Sequence, residues 1–210
     1  MGTSEPLTGS HTERGALKAA ASLGQAHLKS FLERLESLYA RMDRRYQEMA
    51  EKVGFHCQGC KENCCKTTFY HHTLVEYLYI RDGIFSLDKE MQAKLLRLSQ
   101  EVSANPNTGR FCPLNQEGRC LLYTYRPMIC RLHGLAHELR RPDGSVQRGP
   151  GCSAFDAAAS GKPDIALNRT DLYWELSKLE QETRTALGFS GKIKMTLSQM
   201  VEAMLHGHPS

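Results

Sequence analysis

Long apolar runs are missing from this sequence of 210 residues. A membrane-spanning helix needs about 20 consecutive apolar residues, and no stretch approaches that length, so the sequence predicts none. Residues 1–15 are small and polar and contain no apolar segment of the signal-peptide type. We therefore expect a cytoplasmic protein with no membrane partner. Since 40% of the residues are hydrophobic, one domain with its own core is expected.

A strong excess of either charge is also missing. Lys and Arg number 27 against 23 Asp and Glu, for a formal net charge of +4. Arg140, Arg141 and Arg148 are accompanied by no DNA-binding motif and no interleaved aromatic residues. The chain also lacks a glycine-rich phosphate loop, a catalytic serine motif and an H-E-x-x-H motif. We expect a protein partner and no nucleic-acid partner. Whether the chain is an enzyme stays open.

Cysteine is absent from both ends of the chain and concentrated in its middle. All eight cysteines lie between residues 57 and 152. They are too few for a small disulfide scaffold, which carries roughly 8 to 10% cysteine, and the cytoplasm is reducing. Their clustering predicts metal ligation or redox chemistry before disulfide bonds. The candidate ligands are Cys57, Cys60, Cys64, Cys65, Cys112, Cys120, Cys130 and Cys152.

Proline is absent from residues 16–53, and Gly24 is the only glycine there. Apolar residues in this segment recur at alternating spacings of four and three, as on one face of a helix. These residues are Leu28, Leu32, Leu35, Tyr39, Met42, Tyr46 and Met49. We predict one long helix over 16–53, preceded by a disordered tail over 1–15. The stripe either packs on its own domain or forms the seam of a homodimer.

Two helices and a strand are predicted in the next 50 or so residues. The β-branched and aromatic run Thr67–Tyr70 favours a short strand. A capping box at Thr73 predicts the start of a helix that Asp82-Gly83 closes. Ser86 is the predicted cap of a second helix, which runs to about Ser103.

The centre of the chain is predicted to contain little regular structure. The turn residues 115–118 predict a hairpin that brings Cys112 close to Cys120. Arg126-Pro127 is typical of a helix start, and Gly134 is expected to end that helix. Its many glycines and prolines predict that the stretch 141–163 is a loop.

Helices return in the last third of the sequence. Asn168 or Thr170 is the predicted cap of one helix, which Gly188 ends, and Thr196 opens another, which Gly207 ends. The predicted class is mainly α, with a small β-hairpin and a loop-rich centre that is cross-linked by metal-bound cysteines. We expect residues 54–165 to form the cysteine-cluster metal-binding domain, with the helices of 166–210 packing on it.

The spacing of the cysteines differs between the two halves of the pattern. It is C-x2-C-x3-C-C in the first half and C-x7-C-x9-C-x21-C in the second. The two residues between Cys57 and Cys60 allow both sulfurs to reach one centre. Adjacent side chains such as those of Cys64 and Cys65 point apart. That pair therefore indicates a second centre, a polynuclear site or a spare thiol.

Three interpretations of the eight cysteines remain open. An iron–sulfur cluster, with or without zinc, is preferred, because C-x2-C-x3-C is one residue longer than a ferredoxin run and Cys112-Pro113 matches its Cys-Pro pair. Two structural zinc sites would also use all eight thiolates. Disulfides or free thiols are the third reading. Basic neighbours would offset the thiolate charge; they are Lys61, Lys66, Arg119, Arg126 and Arg131.

Histidines supply further candidate groups. His133 follows Cys130 by three residues, and His137 follows His133 by four. On a continuous helix all three side chains would share one face. We therefore include His133 as a candidate metal ligand.

Together these motifs resemble a known family. Cys57-Gln58-Gly59-Cys60 and Cys64-Cys65 are followed by Phe111-Cys112-Pro113-Leu114, Gly118-Arg119-Cys120 and Tyr125-Arg126-Pro127 with Cys130-Arg131. The chain is similar over about residues 55–153 to the YkgJ-type cysteine-cluster proteins, described as a zinc- or iron-chelating domain with a CxxCxxCC signature. It departs from that signature in the three-residue spacer before Cys64 and in His133.

The resemblance implies metal binding by the eight cysteines and names no reaction. A similar cysteine domain occurs in the flagellin lysine methylase, where it is associated with an iron–sulfur cluster, and this favours iron. Closed four-thiolate sites would make the chain a binding or accessory module. A centre with an open position would instead make it an iron- or cluster-dependent redox or protein-modifying enzyme.

Overall fold

Seven α-helices and two small sheets form the part of the chain that the computed structural model describes, residues 25–57, 64–105, 112–162 and 165–206. The helices are α1 (Gln25–Val53), α2 (Leu74–Phe85), α3 (Lys89–Ala104), α4 (Met128–Arg131), α5 (Ser153–Ala158), α6 (Thr170–Leu187) and α7 (Leu197–His206). The strands are β1 (Asn115–Gln116), β2 (Arg119–Cys120), β3 (His137–Arg140), β4 (Val146–Gly149) and β5 (Leu167–Asn168). The predicted mainly α class is confirmed.

The long helix α1 carries the predicted apolar stripe on its buried face. Leu35 and Met42 are completely buried, and Leu32 and Tyr39 nearly so. The helix packs against α2, α4 and α6 of the same chain. Most of the stripe is therefore covered by the chain's own helices. The predicted tail and residues 16–24 lie outside the described residues.

Helix α2 is nearly all buried, and its first amides are satisfied by a distant helix. Thr73 lies at the predicted cap position, but its hydroxyl donates to Glu76 Oε2 (2.6 Å) and caps no amide, so the predicted capping box is wrong. The free amides of Leu74 and Val75 donate to the two carboxylate oxygens of Glu180 in α6, at 2.8 and 2.9 Å. A carboxylate at a helix N-terminus satisfies its unpaired amides and stabilises the helix dipole. Glu180 thus joins α2 to α6.

The predicted end of α2 at Gly83 is wrong, because the helix continues to Phe85. Gly83 instead allows the Tyr125 ring to pack closely against the helix backbone. A Cβ at this position would lie 2.5 Å from the aromatic ring of Tyr125, which fills the space over the glycine. The predicted cap of α3 is wrong as well. Asp88 caps α3 by accepting from the Met91 amide (2.7 Å), and Ser86 ends α2.

The segment between Cys65 and α2 is not the predicted strand. Residues 68–70 have no regular structure. His71, just beyond them, forms an isolated antiparallel bridge with Met195, in which the two amides donate to the opposite carbonyls at 2.8 and 3.1 Å. This bridge holds the start of α2 beside the start of α7.

The predicted central hairpin is confirmed in a shorter form. Strands β1 and β2 pair antiparallel through a two-residue turn at Glu117 and Gly118. Both residues have positive φ, 50° and 84°, as this tight turn requires. A second hairpin, β3–β4, and helix α5 occupy the stretch predicted as a loop, and β5 pairs parallel to β3. Strand β4 is mostly exposed and shows no alternation of apolar and polar residues that could have revealed that hairpin.

Helix α4 begins after Pro127 as predicted but ends at Arg131, well before His137. Gly134 follows with a φ of 95°, which takes the chain out of the helix. His137 lies in β3. The prediction that Cys130, His133 and His137 share one helical face is therefore wrong.

The C-terminal helices follow the sequence closely. Gly188 ends α6 in the left-handed conformation, with a φ of 58°. At the start of α7, the Thr196 amide donates to Gln199 Oε1 (2.9 Å) and the Gln199 amide to Thr196 Oγ1 (3.3 Å), a reciprocal capping box. Helix α7 packs mainly on α3. No described helix is long and apolar enough to cross a membrane.

A buried carboxylate connects three of the helices. Glu76 in α2 is 5% exposed. Its Oε1 accepts from the Tyr39 hydroxyl of α1 (2.8 Å) and from the Met128 amide at the start of α4 (2.7 Å). Its Oε2 accepts from Thr73. The carboxylate therefore fixes α4, which carries Cys130, to α1 and α2.

We expect Glu76→Gln to lower the free energy of unfolding by about 2–3 kcal/mol, because an amide offers one acceptor oxygen where three donors converge. Urea denaturation measures the change. Glu90→Gln, on the exposed first turn of α3, is the matched control and should change stability by less than about 0.5 kcal/mol. Equal, small effects of the two substitutions would contradict a structural role for Glu76.

Candidate functional site

Five cysteines from four segments lie together beside α4. Cys64 and Cys65 lie in a turn, Cys112 precedes the central hairpin, Cys120 lies in β2 and Cys130 in α4. The Cys64 thiol is hydrogen-bonded to the thiols of Cys65 and Cys130. The Cys112 amide donates to the Cys65 carbonyl at 2.7 Å, which joins the hairpin to the turn. We call these five residues the cysteine cluster.

The thiols of the cysteine cluster affect one another's ionisation. The hydrogen bond with Cys130 raises the pKa of Cys64 to about 11, and that with Cys64 raises the pKa of Cys65 well above its ordinary range. Burial raises the pKa of Cys112, and the nearby Cys65 and Cys120 raise it further. Burial also raises the pKa of Cys120. Closely spaced thiolates repel, so ionising several of them together requires positive charge in the same place.

Arg126 supplies such a charge at the edge of the cluster. Its guanidinium opposes the upward pKa shifts of Cys64, Cys65 and Cys120. The side chain is held by its own turn, since Nε donates to the Tyr123 carbonyl (3.1 Å) and the guanidinium carbon lies 3.6 Å from the centre of the Tyr123 ring. Stacking on an aromatic face orients an arginine without neutralising it.

Arg131 fixes this turn to α1. Its side chain is buried, and Nε donates to the Arg126 carbonyl at 2.7 Å. Nη1 donates to the Asp43 carboxylate of α1 at 2.6 Å, and Nη2 donates to the Thr124 carbonyl. The guanidinium also stacks 4.1 Å from the ring centre of Tyr39. The arginine that follows Cys130 is therefore mainly a structural clamp, with a charge close to the thiols.

Two further cysteines form a second group around Tyr46. Burial, and then the proximity of Cys57 and Cys152, raise the pKa of the Tyr46 phenol well above its ordinary value. Gly134 borders the group: a Cβ there would lie 3.6 Å from the Cys152 sulfur and 3.8 Å from the Tyr46 hydroxyl oxygen. The Cys152 amide donates to the Gly134 carbonyl (2.9 Å). Cys60, predicted to share a centre with Cys57, lies outside the described residues.

The histidine candidates have separate surroundings. His133 is half-buried and contacts the ring of Phe69 edge to face, with centroids 5.5 Å apart. The His137 ring packs over Gly149 in the neighbouring strand. Burial lowers the pKa of His137, and the charge of Arg169 lowers it further. The structure therefore gives His137 a position in the sheet, away from the predicted helical face.

The sulfur atoms are present as thiols. The seven cysteines in the described part of the chain are all free, without a disulfide. Within residues 25–57, 64–105, 112–162 and 165–206, no three His, Cys, Asp or Glu side chains have the arrangement of a metal site. The cysteine cluster is thus a group of neighbouring thiols, in which Cys64 is hydrogen-bonded to Cys65 and Cys130, and not a preformed coordination shell.

A cleft of about 270 Å³ borders the cysteine cluster. Four cluster cysteines form one of its walls: Cys64, Cys65, Cys112 and Cys130. The segment 66–71, the C-terminal end of α3 and residues 196–199 at the start of α7 form the others. Four of the five cluster residues therefore border a concave surface, the usual setting for a ligand.

Two components of this site were missed by sequence reasoning. Tyr46 was assigned only to the apolar stripe of α1, and the start of α7 only to a helix cap. No local pattern could have revealed that Tyr46 approaches Cys152, 106 residues away, or that the start of α7 shares a cleft with cysteines more than 60 residues away.

Comparisons of the chain with protein-family models, with curated proteins and with solved structures find no match in any of the three. The resemblance to the YkgJ-type cysteine-cluster proteins accordingly stays a prediction from the sequence motifs.

Proposed function

We propose that this chain binds a metal centre through its cysteines, an iron–sulfur cluster in preference to zinc, and acts as a binding or accessory module for another protein. The observation that carries the proposal is the convergence of Cys64, Cys65, Cys112, Cys120 and Cys130 from four segments. Thiols that only fill a core have no reason to meet one another. Soft metal ions and iron–sulfur clusters prefer donor sets of this kind.

The donor set fits a thiolate-ligated centre in number and in charge. A tetrahedral ion takes four thiolates, so five neighbouring cysteines favour a polynuclear site or two adjacent centres. Cys64 and Cys65 both belong to the cluster, which supports the polynuclear reading of this pair. Binding would replace the present thiol hydrogen bonds by metal–sulfur bonds, and the metal would supply the positive charge that several thiolates require.

Cys57 and Cys152 are proposed as ligands on the Tyr46 side, together with Cys60. His133 remains a candidate ligand, since its contact partner Phe69 borders the same cleft as the cluster. When bound, an iron–sulfur cluster would supply one-electron chemistry and zinc a purely structural link. Of the chain's own residues, Arg126 and Arg131 place positive charge beside the sulfur atoms.

Anaerobically purified protein should contain iron and inorganic sulfide and absorb in the visible range. Cys64→Ser and Cys130→Ser should each lower the metal content at least about threefold, because each removes a sulfur ligand from the cluster. Elemental analysis and the visible spectrum measure both. Ser177→Ala, on the exposed face of α6, is a control that should leave metal content unchanged. Colourless protein with stoichiometric zinc would select the two-zinc alternative, and metal-free protein would refute the proposal.

Chelation should loosen the centre of the chain while the helical core persists. The core residues of α1, α2, α6 and α7 bury their side chains without any cysteine among them, so their packing does not need metal. Residues 112–135 contain only short elements and would lose the crosslink that metal gives them. Hydrogen exchange should therefore accelerate at least tenfold in 112–135 and change little in α1 and α6. Uniform exchange before and after chelation would argue against bound metal as a structural link.

The cleft favours a second candidate, an iron- or cluster-dependent redox or protein-modifying enzyme with a metal position open to substrate. Cyanide is small enough to enter the cleft and binds iron that has a free coordination position. A change in the visible or electron paramagnetic resonance spectrum with cyanide would support this enzyme class. An unchanged spectrum would indicate a centre without a free coordination position, as expected of a binding module.

A further inference from the structure

We propose that the cleft beside the cysteine cluster is a binding site for a small anion, in which the N-terminus of α7 and the His71 side chain hold a phosphate or carboxylate group. This site goes beyond the proposed function, because its binding groups include no cysteine. It would place an anionic ligand within the same cleft that four cluster cysteines line.

The first support is the way in which α7 enters the cleft. Residues 196–199, the cap and first turn of this ten-residue helix, form part of the cleft wall. The capping box satisfies the amides of Thr196 and Gln199. The amides of Leu197 and Ser198 have no acceptor inside the helix, as follows from helix geometry. Unpaired amides at the positive end of the helix dipole attract anions.

The second, independent support is His71. The residue is only 3% exposed, it lines the cleft, and its Nε2 has no hydrogen-bond partner. A buried polar atom without a partner costs free energy, and a bound water or ion is one explanation for it. The two backbone hydrogen bonds between His71 and Met195 hold this imidazole directly beside the start of α7.

The charge of the cleft lining selects the class of ligand. Lys66 is among the lining residues, and no Asp or Glu is. Burial lowers the pKa of His71 more than the charge of the nearby Glu76, which does not line the cleft, raises it, and this favours a neutral imidazole able to donate one N–H to an oxygen. Hydroxyl side chains of Thr67 and Thr68 lie on the same wall. The cleft is thus lined by hydrogen-bond donors and by the positive end of a helix, and no carboxylate lines it. Such a lining suits a ligand that carries oxygen atoms and negative charge.

The test is a titration of the purified full-length chain with inorganic phosphate and, separately, with acetate, followed by ¹H–¹⁵N NMR. Saturable shifts of the Leu197 and Ser198 amides with either anion are expected, and the tighter anion identifies the group recognised. Shifts that are linear in concentration, or that avoid these two amides with both anions, would overturn the proposal.

Four variants separate the site from general charge effects. His71→Phe should weaken binding about tenfold or more, whereas His71→Gln, which keeps a nitrogen donor in a similar place, should stay within about threefold. Gln199→Glu keeps the capping box and places a carboxylate on the cleft wall, so it should also weaken binding about tenfold. Gln181→Glu, an equal charge change on the exposed face of α6, should have no effect.

His72→Phe controls for the loss of an imidazole, since His72 is exposed and does not line the cleft. If His71→Phe does not fold, Gln199→Glu decides, and unchanged binding in that variant would overturn the proposal. Metal content is measured on the same samples. Protein that contains metal but binds no anion would refute the anion site alone. Protein that binds the anion but contains no metal would refute the metal centre alone.

Discussion

One buried carboxylate holds the short helix that carries Cys130 of the cysteine cluster. Glu76 accepts hydrogen bonds from α1, from its own helix cap and from the first amide of α4. A four-residue helix has too few internal hydrogen bonds to hold its own place. Because Glu76 fixes the start of α4, Cys130 is held where its thiol meets that of Cys64. A hydrogen bond deep in the helical core thus holds one member of a site at its edge.

Arg131 adds a second constraint from the same helix. It bonds to the carbonyls of the preceding turn and to Asp43 on α1, and it stacks on Tyr39, the residue that also donates to Glu76. The two anchors therefore share Tyr39. The turn that they hold carries Arg126, whose charge acts on thiols of the cluster. Position and charge of the site are consequently set by the same few contacts.

Sequence reasoning succeeded where the determining contacts are local. The 3.6-residue periodicity of α1, the capping box at Thr196 and the left-handed Gly188 each act within a few residues, and each was predicted. It failed where distant residues decide. Glu180 caps α2 from 106 residues away, and the Tyr125 ring makes Gly83 a packing position instead of a helix end.

The predictions for the candidate site also succeeded for local contacts and failed for distant ones. The grouping of Cys112 with Cys120 follows from a short hairpin and was predicted. The approach of Cys152 to Tyr46 was not, because it depends on Gly134 turning the chain towards α1. The histidine prediction assumed a helix long enough to reach His137, and α4 ends six residues too early. Spacing identifies ligand candidates, whereas tertiary contacts assign them to groups.

Electrostatics connects the cysteine cluster with the cleft that it borders. Thiolates around a metal carry more negative charge than the metal neutralises, so a loaded cluster would make its wall of the cleft anionic. The start of α7 forms another wall and presents the positive end of a helix. A cleft with walls of opposite sign orients a polar ligand before any specific contact forms, with its negative end towards α7. The rest of such a ligand would then face the sulfur atoms, so the wall that binds the anion would also determine which part of the ligand approaches the metal.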